Sequence, residues 1–105
     1  MDFNKEFEIS LLNDFYKNLL TDKQKLIIEE YINSNNSLGE IAENLQISRQ
    51  AVRDSLMKSE KQLKKYEEQL RLLHKFNLQK EIVEKLIDKY GEDSLFSELL
   101  KSWEV

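Results

Sequence analysis

Arg49, Gln50 and Arg53 stand within about one helical turn of each other, directly after Ser48, in the run "ISRQAVRDSLMK". An arginine can fork onto guanine O6 and N7 and a glutamine onto adenine, so this trio has the side chains of base reading. Lys58, Lys61, Lys64 and Lys65 follow, with ammonium groups suited to phosphates, which position a duplex without reading it. Ser48 offers a hydroxyl or amide to a phosphate at the helix start. Residues 48–65 hold six basic and two acidic side chains, net +4. Residues 1–47 sum to −5 and residues 66–105 to −3, so a chain of net charge −4 has one positive island. A blander reading stands beside this one. Charge on an outer helix face is usually solvation, and Asp54, Glu60, Glu40 and Glu43 repel phosphates. Each cation missing from a contact set lowers affinity and flattens the salt dependence.

Other chemistries find little support. His74 is the one histidine and cysteine is absent, so a zinc site of the usual kind is not expected. Beside Leu72, Leu73 and Phe76, His74 reads as partly buried or at an interface. Glu67-Glu68 and Glu92-Asp93 are carboxylate pairs, but acid–base work needs a cleft, and such pairs on helices are mostly solvated. Ser48, Ser55 and Ser59 have no base nearby. Gly39 and Gly91 form no phosphate loop. No catalytic residue, metal or cofactor is expected, and an enzyme is the least favoured class.

The elements that must carry these residues read as helices throughout. A chain of 105 residues with no Pro, two Gly, 34% charged and 40% hydrophobic side chains suits one all-α domain, residues 1–105. The absence of Cys fits a reducing compartment, and no stretch has the length and apolarity of a signal peptide or membrane span. A cytoplasmic protein is expected. Phe7, Leu11, Leu12, Phe15, Tyr16 and Leu19 recur at three- and four-residue steps, an amphipathic helix. Thr21 with Gln24 is a capping box for a second helix, buried through Leu26, Ile27, Tyr31 and Ile32. Ser37 with Glu40 is another, opening a third helix with Leu38, Ile41, Ala42 and Leu45 on its inner side.

Ser48 then caps a long helix with no breaker until about Asn77, up to ~28 residues or roughly 40 Å. Val52, Leu56, Ser59, Leu63, Tyr66, Leu70 and Leu73 step by four and three along it, a heptad seam. That seam packs either on the C-terminal helices or on a second copy, and self-association is slightly favoured. A homodimer would present two recognition helices to palindromic DNA. Beyond Asn77 comes a stripe of Leu78, Ile82, Val83, Leu86 and Ile87. Gly91 suits the left-handed position after it. Leu95, Phe96, Leu99, Leu100 and Trp103 suggest a last short helix, and an exposed Leu99 or Trp103 suits a partner surface.

Two helices joined by Gln46, Ile47 and Ser48 must cross steeply, the geometry of a helix-turn-helix. Ala42 provides the small residue at the crossing, Ile47 plugs the turn, and Val52 and Leu56 anchor the second helix. Gln46 stands where such motifs often place Gly at positive φ, a departure costing on the order of 1 kcal/mol. The motif's core covers residues 6–60, and residues 61–105 form a C-terminal extension that completes a helical bundle.

The run from Leu19 to Leu70 resembles the C-terminal helix-turn-helix domain of bacterial sigma factors, of the winged-helix superfamily type but without a wing. With Phe15-Tyr16 and the core "SLGEIAE…SRQAV", residues ~11–76 look more closely like the YlxM family of small helix-turn-helix proteins. The resemblance implies an all-helical cytoplasmic bacterial regulator linked by gene neighbourhood to the signal recognition particle. In sigma-type domains the recognition helix reads promoter DNA, and Arg49, Gln50 and Arg53 occupy the matching exposed positions. The alternative it leaves open is an adaptor that meets the particle's protein or RNA and reads no DNA.

Overall fold

In the computed structural model, which describes residues 3–91 and 94–102, the chain is all-α. Helices α1 (Phe3–Tyr16), α2 (Asp22–Ile32), α3 (Leu38–Leu45), α4 (Arg49–Leu70), α5 (Leu72–Tyr90) and α6 (Ser94–Ser102) follow one another, with a 3₁₀ turn at Lys17–Leu19. They divide into two compact units, residues 1–71 and 72–105.

Both capping boxes form. The Gln24 amide donates to Thr21 Oγ1 at 3.2 Å, and the Thr21 amide to Gln24 Oε1 at 2.9 Å. Ser37 and Glu40 make the same reciprocal pair, each bond 3.1 Å. These bonds occupy amides that a helix start otherwise leaves unpaired, so they fix where α2 and α3 begin.

The core of the first unit is Ile27, Ile41, Ala42 and Val52, with Tyr31, Leu38, Leu45, Ile47 and Leu56 packed against it. Ile27, Ile41 and Val52 are fully buried. Burial of each such side chain contributes about 1.5–3 kcal/mol, so three helices are held to one centre. Ile9, Leu12, Tyr16, Leu20, Ile28 and Leu63 are also buried.

Several stripes are rotated from their expected faces. On α1, Phe7 and Phe15 are exposed, as is Leu19 just beyond it, while Ile9, Leu12, Asn13 and Tyr16 turn inward. On α2, Leu26 is exposed and Ile28 is buried instead, beside the polar Gln24. Gln24 escapes the cost of burial because its amide donates to Gln62 Oε1 at 3.0 Å.

The long helix stops sooner than its sequence suggests. Helix α4 has 22 residues, about 33 Å at 1.5 Å per residue. It ends because Arg71 takes the left-handed conformation, φ 55° and ψ 32°, while its amide still reaches Glu67 O at 2.9 Å. The seam along α4 is real from Val52 to Tyr66, but its occupants are α1, α2 and α3. Tyr66 donates to Leu19 O at 3.3 Å, Tyr16 to Glu67 Oε1 at 2.6 Å, and the Tyr16 and Tyr66 rings lie 6.0 Å apart. A seam already filled by its own unit is not the surface on which copies associate, and residues 61–70 lie within the first unit.

In the second unit, Val83 of α5 is buried and Leu86 and Ile87 half-buried, whereas Leu78 and Ile82 are exposed. Gly91 has φ 84° and donates to Ile87 O at 2.8 Å, the expected end of that helix. On α6, Leu95 and Leu99 are exposed. Trp103, Glu92 and Asp93 lie outside the described residues.

Candidate nucleic-acid interface

The corner between α3 and α4 is built by three backbone and side-chain bonds. Gln46 adopts φ 57° and ψ 44°, the left-handed conformation in which a side chain costs about 1–2 kcal/mol. Its amide donates to Glu43 O at 3.3 Å and the Ile47 amide to Ala42 O at 3.0 Å, the paired bonds of a Schellman motif. Ile47 packs into the core, so the plug and the turn support each other. Ser48 then accepts the Ala51 amide at 3.0 Å and starts α4.

From this corner α4 presents Arg49, Gln50, Arg53, Lys58, Lys61, Lys64 and Lys65 to solvent, with Ser48 exposed at its head. They do not all stand alike. Arg49 folds back over the preceding helix: a Cβ built on Gly39 would meet its Nε at 3.8 Å, ordinary contact. Its guanidinium therefore lies across the first turn of α3, where amides and the helix dipole favour an anion. Gln50 is engaged, its amide donating to Asp54 Oδ1 at 2.8 Å. Arg53 is exposed on the same face. Lys64 pairs with Glu60 at 3.1 Å, and that hydrogen bond raises the lysine's pKa above its ordinary value. Glu60 is also held by Lys5 at 3.3 Å, so the carboxylate expected to repel phosphates is flanked by two cations. Asp54, Glu40 and Glu43 stay exposed.

Lys5 is the contributor that the linear sequence hides. It lies 55 positions before Glu60, on another helix, and no local spacing links them. With Tyr31 and Leu38 it also walls a groove of about 730 Å³ beside α4.

The other candidates are scattered. His74 is exposed, not partly buried, on the first turns of α5. Glu67 is taken up by Tyr16, and Ser59 is fully buried. Among the described residues no cluster of His, Asp and Glu could hold a metal, and no helix is long and apolar enough to cross a membrane.

The family model for UPF0122, described as "Putative helix-turn-helix protein, YlxM / p13 like", matches residues 3–103. The chain belongs to the UPF0122 family. A UPF0122 protein of Malacoplasma penetrans is 43% identical over 97 residues, 91% of each chain. One from Geobacillus kaustophilus is 41% identical over 101 residues, 92% of each. YofM of Lactococcus lactis is 43% identical over 93 residues, 89% of this chain and 84% of its own. The description of the family as a helix-turn-helix protein accords with two short-linked helices, α3 and α4, joined at Gln46–Ser48. The cationic candidates read from the sequence of this UPF0122 chain, Arg49 to Lys65, all lie on α4, and Lys5 of α1 joins them at Glu60.

Proposed function

We propose that this UPF0122 protein is a regulatory nucleic-acid-binding protein that sets the first turns of α4 into the major groove of duplex DNA. The observation that carries this reading is the corner itself. A capped helix, braced from beneath by Ile41, Ala42 and Val52, holds Arg53 outward at a rigid angle. Arg53 and Gln50 take the base edges, Gln50 by leaving Asp54. Arg49, beside the start of α3, takes a phosphate rather than a base, and Lys58, Lys61, Lys64 and Lys65 continue along the backbone. We read the chain as a binding protein rather than an enzyme, because two of its three candidate serines are a cap (Ser48) and buried (Ser59). A cytoplasmic setting accords with this.

Titration of a random-duplex library at two salt concentrations tests it. Arg53→Ala is expected to weaken one preferred duplex by about 1–3 kcal/mol and to relax its specificity, whereas Lys65→Ala weakens all duplexes alike and lowers the salt slope. Equal affinity for all duplexes at low salt refutes it.

One observation favours a second reading. The glutamine suited to adenine is tied to Asp54, and Glu40 and Glu43 stand exposed on α3. That is better suited to a partner that need not be read base by base. In this reading the same cations meet the RNA or a protein of the signal recognition particle, the link implied by the YlxM resemblance, and retention of the particle's RNA with no duplex preference would establish it.

A further inference from the structure

The groove beside α4 joins two properties that duplex binding does not need together. Part of its lining is apolar: Tyr31, Leu38 and Leu56 are half-buried there, and Met57 extends them while 59% exposed. Among the described residues the lining also holds five cations and one carboxylate. That carboxylate, Glu60, is already engaged, since Lys5 and Lys64 reach it at 3.3 and 3.1 Å. Arg53, Lys58 and Lys61 are exposed and have no carboxylate partner among the described residues. Phosphates could use those cations but have no use for an exposed methionine, which suits an adaptable apolar contact.

The surroundings of the groove select the form of its occupant. Arg53 and Lys64 lie about 16 Å apart along α4, roughly three helical turns. Most of the lining sits inside α4, where backbone amides and carbonyls pair within the helix. An extended segment laid there would find no backbone partner and would leave its own amides unpaired over apolar side chains. A helix pairs its own amides and presents side chains alone, the helix-in-groove mode. An apolar stripe on it would meet Leu38, Leu56 and Met57. Carboxylates beside that stripe would meet Arg53, Lys58 and Lys61, whereas a neutral or basic helix would leave three cations covered and unpaired.

We propose that the groove docks an acidic amphipathic helix of a partner protein. Arg53, Lys58, Lys61 and Lys64 also belong to the proposed nucleic-acid face, so partner and duplex exclude each other and the partner acts as a release signal. The docking itself rests on neither reading given above, since it is measured with no nucleic acid present.

Fluorescence anisotropy of a labelled model peptide against the full chain is the test. The peptide is about 16 residues long, ~24 Å as a helix, with leucines in one helical stripe and glutamates on both sides of it. One control scatters the same leucines around the helix, and another replaces the glutamates with lysine. The acidic striped peptide is expected to bind at least about tenfold more tightly than the scattered one, and the lysine peptide not at all. Met57→Glu and Lys61→Glu should each weaken binding by a similar factor. Both side chains are exposed, so both variants should melt as wild type does, which separates lost docking from unfolding. Equal affinity for the striped and scattered peptides, or a peptide indifferent to Met57→Glu, overturns the proposal. So does a wild-type dimer that the peptide leaves intact and Met57→Glu dissociates, for then a second copy holds the groove. A chain that takes the peptide but no duplex keeps this docking and ends the duplex reading, and one that takes duplex but no peptide does the reverse.

Discussion

Two breaks in the helical chain use the same backbone device and are supported differently. At Gln46 and at Arg71 a residue with a full side chain takes a left-handed conformation, φ 57° and φ 55°. The first is flanked by aids that favour it: paired amide bonds to Ala42 and Glu43, a half-buried Ile47 packed on the core and the Ser48 cap. The second has the Arg71 amide bond to Glu67 O, followed directly by Leu72, which is exposed. The turn that aims α4 is held by bonds within residues 42–51 and by packing on the core. That is why the first carries the candidate recognition face.

The largest test of this contrast lies in the packing. Ile41→Ala, under the first break, is expected to lower stability by about 2–5 kcal/mol in chemical denaturation. Leu70→Ala, beside the second, is expected to change it by under about 0.5 kcal/mol because that side chain is 45% exposed. Equal losses would mean that the two breaks are braced alike. Next comes the cap: Ser48→Ala should cost about 1 kcal/mol and weaken duplex binding by loosening the start of α4.

Smaller effects sharpen the comparison further. Gln46→Gly and Arg71→Gly both relieve a left-handed side chain and both loosen the unfolded chain, so each should stabilise by under about 1 kcal/mol. A loss at Gln46 alone would show that its side chain, not only its backbone, supports the corner. The smallest effect is a pH dependence. Burial, and then its hydrogen bond to Glu6, raise the Tyr31 phenol above its ordinary value. Its stabilisation is therefore complete below the unfolded value of about 10 and fades as pH rises toward the folded one. Melting scans at pH 8 and pH 11 should show a smaller drop for Tyr31→Phe than for wild type. An identical drop would assign the loss to other groups, Lys64 among them.

Much of the fold was legible because its signals are local. Thr21 with Gln24, Ser37 with Glu40, and Ser48 name helix starts within four residues, and Gly91 names an end. The corner was legible for the same reason, since Ala42, Ile47 and Val52 sit at short fixed offsets around Gln46. Periodicity was less reliable for choosing faces. Phe7 and Phe15 make as regular a stripe as Ile9, Leu12 and Tyr16, and both kinds of residue satisfy the same spacing. Arg71 gave no warning at all, because arginine is a good helix former and nothing near it disfavours helix.

The starts of α2, α3 and α4, the corner at Gln46 and the positive island from Arg49 to Lys65 were determined by the sequence alone, because each depends on neighbours a few bonds away. Which stripe of α1 is buried, what fills the seam of α4, where that helix stops, and the meeting of Lys5 with Glu60 were decided by tertiary structure. Those outcomes turn on residues up to 55 positions apart competing for one core, and only the folded packing resolves that competition.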